Sequence, residues 1–199
     1  MQSRLKTPIG KAQDTFLSIE NAIKGFYNQL QNFKLLSSPG ESINSMNKLT
    51  NVASDISRVN ILLQFIESLE KLIYNAYEGT AVSLQPAQKA VKVFFRTNKS
   101  TCNEWFWRVR FYLIKICVKC NLYELAVRHC YEYIQYSIQH NLTSTADFDH
   151  IIICLVQSLT RLRAWQTLKG IHIWLTNLTK KNYEWILAAT EQARGRYGK

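Results

Sequence analysis

The side chains best able to do chemistry in this chain are its thiols and imidazoles. Cys117-x-x-Cys120 is followed nine residues later by His129-Cys130, and Cys102 and Cys154 flank the set. Two thiols three apart, joined by an imidazole and a third thiol, are the donor types of a tetrahedral zinc site. Such a site needs four groups converging, as a rule from knuckles. Here Cys117 and Cys120 sit in the last turn of a helical pattern with no Gly or Pro beside them. His129 and Cys130 fall on the face expected to pack against that helix. The set therefore reads as core thiols, in keeping with the high burial of free cysteine, and no metal ligand is assigned. A redox Cys-x-x-Cys follows a strand, and none is read here. A Cys–His nucleophile lacks a Gly-rich elbow, an anion nest and an orienting third group. Gly-x-Gly-x-x-Gly, Gly-x-x-x-x-Gly-Lys, His-Arg-Asp and Asp-Phe-Gly are all absent. No catalytic or cofactor-binding residue is assigned.

The second constellation is cationic. Lys92, Arg96, Lys99, Arg108 and Arg110, with Lys89 ahead of them, interleave with Phe94, Phe95, Trp105 and Trp107. Cations among aromatics can hold phosphates and stack bases; they can also form a solvated edge beside a packed aromatic core. The formal charge of +11 is uneven. Residues 1–85 carry 8 basic and 7 acidic side chains, a net of +1, whereas residues 86–199 carry 17 and 7, a net of +10. The five cations are expected to form a surface for a polyanion or a protein partner. An independent basic helical module binding RNA or another polyanion is the alternative reading.

The elements that must position these groups are helices. Only 7 Gly and 3 Pro occur in 199 residues, too few for a sandwich or barrel. Apolar residues at spacings of three and four predict helices over 12–36 and 47–77, the first ended by Ser37-Ser38-Pro39-Gly40 and the second by Gly79. Pro86 opens a short helix reaching Phe95, and residues 96–100 read as a turn. Thr101-x-x-Glu104 reads as a capping box opening a helix over 102–119. That helix is apolar nearly all round, with one polar line of Glu104, Arg108, Lys115 and Lys119, so neighbours must cover it. Helices over 122–140, 146–162 and 165–178 follow, and a last one begins near Lys181. Its stripe of Ile186, Ala189, Ala193 and Tyr197 still runs at the chain end, which reads as truncation. Trp165, Trp174 and Trp185 fit either helix-interface anchors or partner hot spots.

Tyr123 and Trp165 open the second helices of successive pairs, 42 residues apart, in a loosely tetratricopeptide-like rhythm. The expected fold is all-α: an α-solenoid of antiparallel helical hairpins, HEAT/TPR-like. It divides into N-terminal helices (1–85), including one long helix, and basic helical-hairpin repeats (86–199). With no apolar leader, no run of 18 apolar residues and an odd number of cysteines, the chain is expected to be cytoplasmic, with the nucleus a second compartment, its thiols reduced and no membrane engaged. Asn98, Asn141 and Asn177 then open chance glycosylation matches.

Two stretches resemble the Smg kinase family of nonsense-mediated mRNA decay, one of the phosphatidylinositol 3-kinase-related protein kinases. The first is Val93-Phe94-Phe95-Arg96-Thr97-Asn98-Lys99-Ser100-Thr101-Cys102-Asn103-Glu104-Trp105, continuing to Arg108-Val109-Arg110. The second is Lys180-Lys181-Asn182-Tyr183-Glu184-Trp185-Ile186, with Glu191-Gln192-Ala193-Arg194-Gly195-Arg196-Tyr197 after it. Leu72-Ile73-Tyr74-Asn75-Ala76-Tyr77-Glu78-Gly79 and Ala126-Val127-Arg128-His129 are also similar, and the likeness runs over about residues 70–199. The resemblance implies a fragment from the end of a helical arch or the start of a FAT-type region, acting as a non-catalytic scaffold. It implies a parent serine/threonine kinase that uses ATP and a divalent metal to phosphorylate Ser/Thr-Gln sites of an RNA helicase. It implies as partners the regulatory subunits of that kinase complex and the rest of the kinase chain, with inositol hexakisphosphate as a further ligand of the FAT-type region. Direct nucleic-acid binding is not expected on this reading. No kinase residue has a counterpart here.

Overall fold

A computed structural model describes residues 12–32, 45–78 and 89–195. Among the described residues all regular structure is helical: α1 (Ala12–Asn32), α2 (Ser45–Glu78), α3 (Lys89–Thr97), α4 (Lys99–Lys119), α5 (Tyr123–Gln139), α6 (Ala146–Arg161), α7 (Trp165–Thr179) and α8 (Glu184–Ala193). The all-α hairpin fold is as the periodicity predicts. The breaks at Pro39-Gly40 and Gly79 and the helix start at Pro86 lie outside the described residues. So does the compositional boundary at 85/86. Compactness, a different property from charge, divides the chain inside α4, into residues Met1–Phe106 and Trp107–Lys199.

In the first unit, α1 buries Phe16, Ile23 and Leu30 along one face, and α2 buries Val59, Leu63, Ile66, Leu69 and Ile73. α3 packs on α2 and turns Val91 and Phe95 inward. The Trp105 indole lies against Phe16, with ring centroids 4.7 Å apart. Its N–H donates to the Phe16 carbonyl at 3.0 Å, so a large ring is buried with its one polar atom satisfied.

The start of α4 differs from expectation. The helix begins at Lys99, so Thr101 and Glu104 lie within it and no capping box forms. The cause is Asn98. Its amide donates to the Phe94 carbonyl at 3.0 Å, and its own carbonyl accepts from the Cys102 amide at 3.0 Å. Its side-chain nitrogen also donates to the Phe94 oxygen, at 2.8 Å. Both backbone bonds span four residues, as in an α-helix, so helical bonding runs on through Asn98 and the turn expected over 96–100 is confined to that one residue.

In the second unit α6 is the central rod, in contact with α5, α7 and α8. It buries Phe148, Ile151, Ile152, Cys154, Leu155, Val156 and Leu159. Each of the Phe, Ile, Leu and Val side chains contributes about 1.5–3 kcal/mol when fully buried. Thr145 caps α6: its hydroxyl accepts from the Phe148 amide at 3.2 Å.

Three hairpin turns are built alike. Leu122 N–H donates to the Cys117 carbonyl at 2.8 Å, Leu142 to Ser137 at 2.7 Å and Ala164 to Leu159 at 2.9 Å. The residue before each donor is left-handed: Asn121 (φ 59°), Asn141 (φ 57°) and Arg163 (φ 56°). This is the Schellman helix ending, which satisfies the terminal carbonyls and reverses the chain within a few residues. α8 begins at Glu184 rather than near Lys181, after the left-handed Lys180 (φ 58°). It stops at Ala193, and Tyr197 lies outside the described residues. No described helix is long and apolar enough to cross a membrane.

Candidate functional site: the thiols and the cationic surface

Cys117 closes α4, where its carbonyl takes the Leu122 bond, and its side chain is fully buried. Cys130 of α5 is also fully buried, and its thiol faces the Ile151 carbonyl at 3.9 Å. Cys154 of α6 is buried and Cys120 half-buried. Burial pushes the Cys117 thiol up to about 12, with Cys120 nearby adding to it. Burial, then the neighbouring Cys154 and Cys117, push Cys130 up as well. Cys154 rises through burial, against the pull of Lys115. Buried neutral thiols are poor nucleophiles and poor ligands, since both tasks need the thiolate. Among the described residues no three His, Cys, Asp or Glu side chains are placed to hold a metal ion.

The five cations, and Lys89 ahead of them, are divided between the two units. On α3, Lys89, Lys92 and Arg96 share the side away from the buried Val91 and Phe95; Lys92 is half-buried and the other two are exposed. Lys99 is exposed at the start of α4. In the second unit Arg108 is exposed, whereas the Arg110 side chain is 14% exposed and pairs with Glu132 of α5 at 3.7 Å. At 100° per residue, side chains two apart leave a helix about 200° from each other. Arg108 and Arg110 therefore do not converge on one polyanion such as inositol hexakisphosphate.

The interleaved aromatics are engaged in packing. Phe95 and Trp105 are buried. Trp107 stacks on Tyr133 at 5.2 Å and Tyr136 at 5.4 Å. Its indole N–H donates to the Ser137 hydroxyl at 3.2 Å. Base stacking on these rings would require unpacking them, so phosphate contact is what the cations retain.

The three C-terminal tryptophans differ. Trp165 is half-buried beneath the Arg194 guanidinium, 4.2 Å from the ring centroid. Trp174 is 39% and Trp185 42% exposed. Ile173, which lies off the apolar stripe of its helix, is 60% exposed. Sequence reasoning passed over it, and its only signal was that missing place in the stripe.

Helical hairpins stacked on their neighbours are the architecture of helical-repeat proteins. Comparison with known proteins places the chain more narrowly. A family model described as "Serine/threonine-protein kinase smg-1" matches residues 1–199, and the chain belongs to that family. The serine/threonine-protein kinase SMG1 of Danio rerio is 35% identical over 206 residues, covering 99% of this chain and 5% of that protein. The serine/threonine-protein kinase Smg1 of Drosophila melanogaster is 33% identical over 203 residues, covering 98% and 6%. The probable serine/threonine-protein kinase smg1 of Dictyostelium discoideum is 29% identical over 178 residues, covering 86% and 6%. The chain thus spans about one-twentieth of the length of these relatives. The match takes in the first 70 residues, which the quoted stretches did not reach.

Proposed function

We propose that this chain is a non-catalytic helical scaffold segment of a serine/threonine kinase acting in nonsense-mediated mRNA decay. The observation that carries the reading is the match itself: the kinase family model covers residues 1–199 of this chain, on hairpins whose buried thiols and whose Trp105 and Trp107 serve packing. On this reading ATP, its divalent metal and the transfer to Ser/Thr-Gln sites of an RNA helicase belong to the longer parent. This segment shapes the arch and offers surface to the kinase's regulatory subunits and to the rest of the kinase chain. On this reading Lys92 and Arg96 of α3 offer positive charge to an acidic partner.

The test is deletion of the matching segment from a full-length relative. The expected result is loss of subunit co-purification, with phosphorylation of a free Ser/Thr-Gln peptide largely retained. Phosphate transfer by the purified 199-residue chain from labelled ATP would overturn the scaffold reading. RNA retention on filters, steep in salt and insensitive to Trp105 or Trp107 variants, would favour the basic module instead.

A further inference from the structure

The outward face of α7 departs from what folding alone requires. Leu168, Ile171 and Leu175 are the residues by which α7 enters the core of the second unit. The opposite side carries Gly170, with Ile173 and Trp174 one turn on and Asn177 after them. At 100° per residue Gly170 lies between Ile173 and Trp174 in direction, so the three make one face. Ile173 is 60% exposed, Trp174 39% and the adjoining Leu178 38%.

Gly170 is the informative residue. Glycine inside a helix costs about 1 kcal/mol relative to alanine. A β-carbon added at Gly170 would meet nothing within 4 Å, so no contact among the described residues calls for it. What it does provide is a notch between two large apolar side chains, where another backbone can approach closely. Gly25 of α1 has the same open surroundings, but its neighbours one turn on are the exposed polar residues Asn28 and Gln29. The combination of notch and apolar rim belongs to α7.

Charge narrows the occupant. α7 carries no acidic side chain. Lys169 is exposed beside Gly170, and the exposed Lys180 and Lys181 follow its C-terminal end. The Lys181 ammonium lies 3.4 Å from Asp149 of α6, with its side chain still 52% exposed. An apolar strip with a cationic rim fits a helix that brings apolar anchors at i, i+3 and i+4 and acidic flanks.

We infer that the Gly170–Ile173–Trp174 face of α7 is a docking surface for an acidic amphipathic helix of a partner protein, seated with its backbone over Gly170. The inference rests on the scaffold reading for its purpose and adds the partner's chemistry and the point of contact.

The probe is a labelled designed helix of about 20 residues, with leucines on one face and glutamates elsewhere; a second peptide carries lysines in place of the glutamates. Both are titrated against the full 199-residue chain by fluorescence anisotropy. The acidic peptide is expected to bind saturably and to weaken in high salt, and the lysine peptide to bind at least about tenfold more weakly, a gap of about 1.4 kcal/mol. Gly170→Leu and Ile173→Ser should each reduce binding about tenfold with an unchanged thermal midpoint. Lys169→Glu, an exposed charge reversal, should narrow or invert the preference between the peptides even if another variant misfolds. Equal binding of both peptides, binding indifferent to Gly170→Leu, or no saturable binding overturns the proposal. So does self-association of the chain that Ile173→Ser abolishes, since the occupant is then a second copy. Failure of the scaffold reading is read separately, as phosphate transfer by the chain alone.

Discussion

Arg163 offers the sharpest test of how the hairpin turns are built. Its φ of 56° puts it in the left-handed region, at the position that Asn121 and Asn141 occupy in the sister turns. Asparagine tolerates that region, because its short polar side chain bonds locally; arginine has no such relief. Left-handed geometry costs a residue with a β-carbon about 1–2 kcal/mol. Glycine escapes that cost but loses about 0.4–1 kcal/mol more backbone freedom on folding. The net expectation is that Arg163→Gly stabilises the second unit by about 0.5–1 kcal/mol. Arg163→Ala is the control. It removes the same charge from the C-terminal end of α6 but keeps the β-carbon, so the Gly–Ala difference isolates the backbone. Asn121→Gly should change stability by only a few tenths of a kcal/mol. The assay is urea unfolding followed by circular dichroism, with thermal melts alongside. For a domain of this size about 1 kcal/mol moves the midpoint by about 4–8 °C. Equal shifts for Arg163→Gly and Arg163→Ala would refute the reasoning, because charge rather than backbone would then set the effect.

Other expectations follow from the packing. Trp105→Ala removes a ring that is 2% exposed and should destabilise the first unit by about 3–5 kcal/mol. Val109→Asp places a carboxylate at a fully buried site and should abolish the urea transition; an unchanged midpoint for either variant removes these core assignments. Thr145→Ala loses the bond to the Phe148 amide and should cost about 1 kcal/mol, checked by the same unfolding curves. In native buffer a thiol reagent should react quickly with Cys120 alone among the five cysteines, since Cys102, Cys117, Cys130 and Cys154 are buried; rapid labelling of Cys130, read by mass spectrometry, would contradict this. The raised folded pKa of Cys117, about 12 against an ordinary 9.0, fixes a sign. Below pH 9 both states hold the proton and stability is unaffected. Above it the unfolded chain releases the proton first, so stability falls as pH rises from 9 toward 12. Urea midpoints that stay flat across that window would count against the buried thiols.

Much of the fold was legible because helical periodicity is a local signal. The stripe through Val59, Leu63, Ile66 and Ile73 and the polar line on α4 can be read residue by residue, and both survive folding. Thr101 shows where local reading fails. Its capping box is a sound local pattern, overridden because Asn98 makes bonds in both directions along the chain. Asn121 and Asn141 announce their turns by residue type, whereas Arg163 does not, since arginine has no left-handed preference. The cationic set was legible as composition, and its geometry was not. Its members divide between two units and two sides of a helix, and the pairing of Arg110 with Glu132 depends on α5 lying beside α4. The α7 face was hidden for a different reason. Gly170 and Ile173 are informative only once the partnered side of the helix is known.

The hydroxyls point the same way as the thiols. Ser137, Ser158 and Thr190 are buried, and each donates back along its own helix, to the carbonyls of Tyr133, Cys154 and Ile186 at 2.8 Å. Thr160 and Thr179 do the same, to Val156 at 2.7 Å and Leu175 at 2.9 Å. A hydroxyl satisfied four residues back needs no partner from another helix, so small polar side chains can sit at helix contacts without leaving an orphaned donor. A nucleophile needs the opposite arrangement: a hydroxyl that donates to a base across space. Neutral buried thiols, back-bonded hydroxyls and indoles held by Phe16 and Ser137 are all consequences of close helix packing. What that packing does not use lies on the outward faces, where α7 carries the exposed Ile173 and Trp174, the open Gly170 and the exposed Lys169.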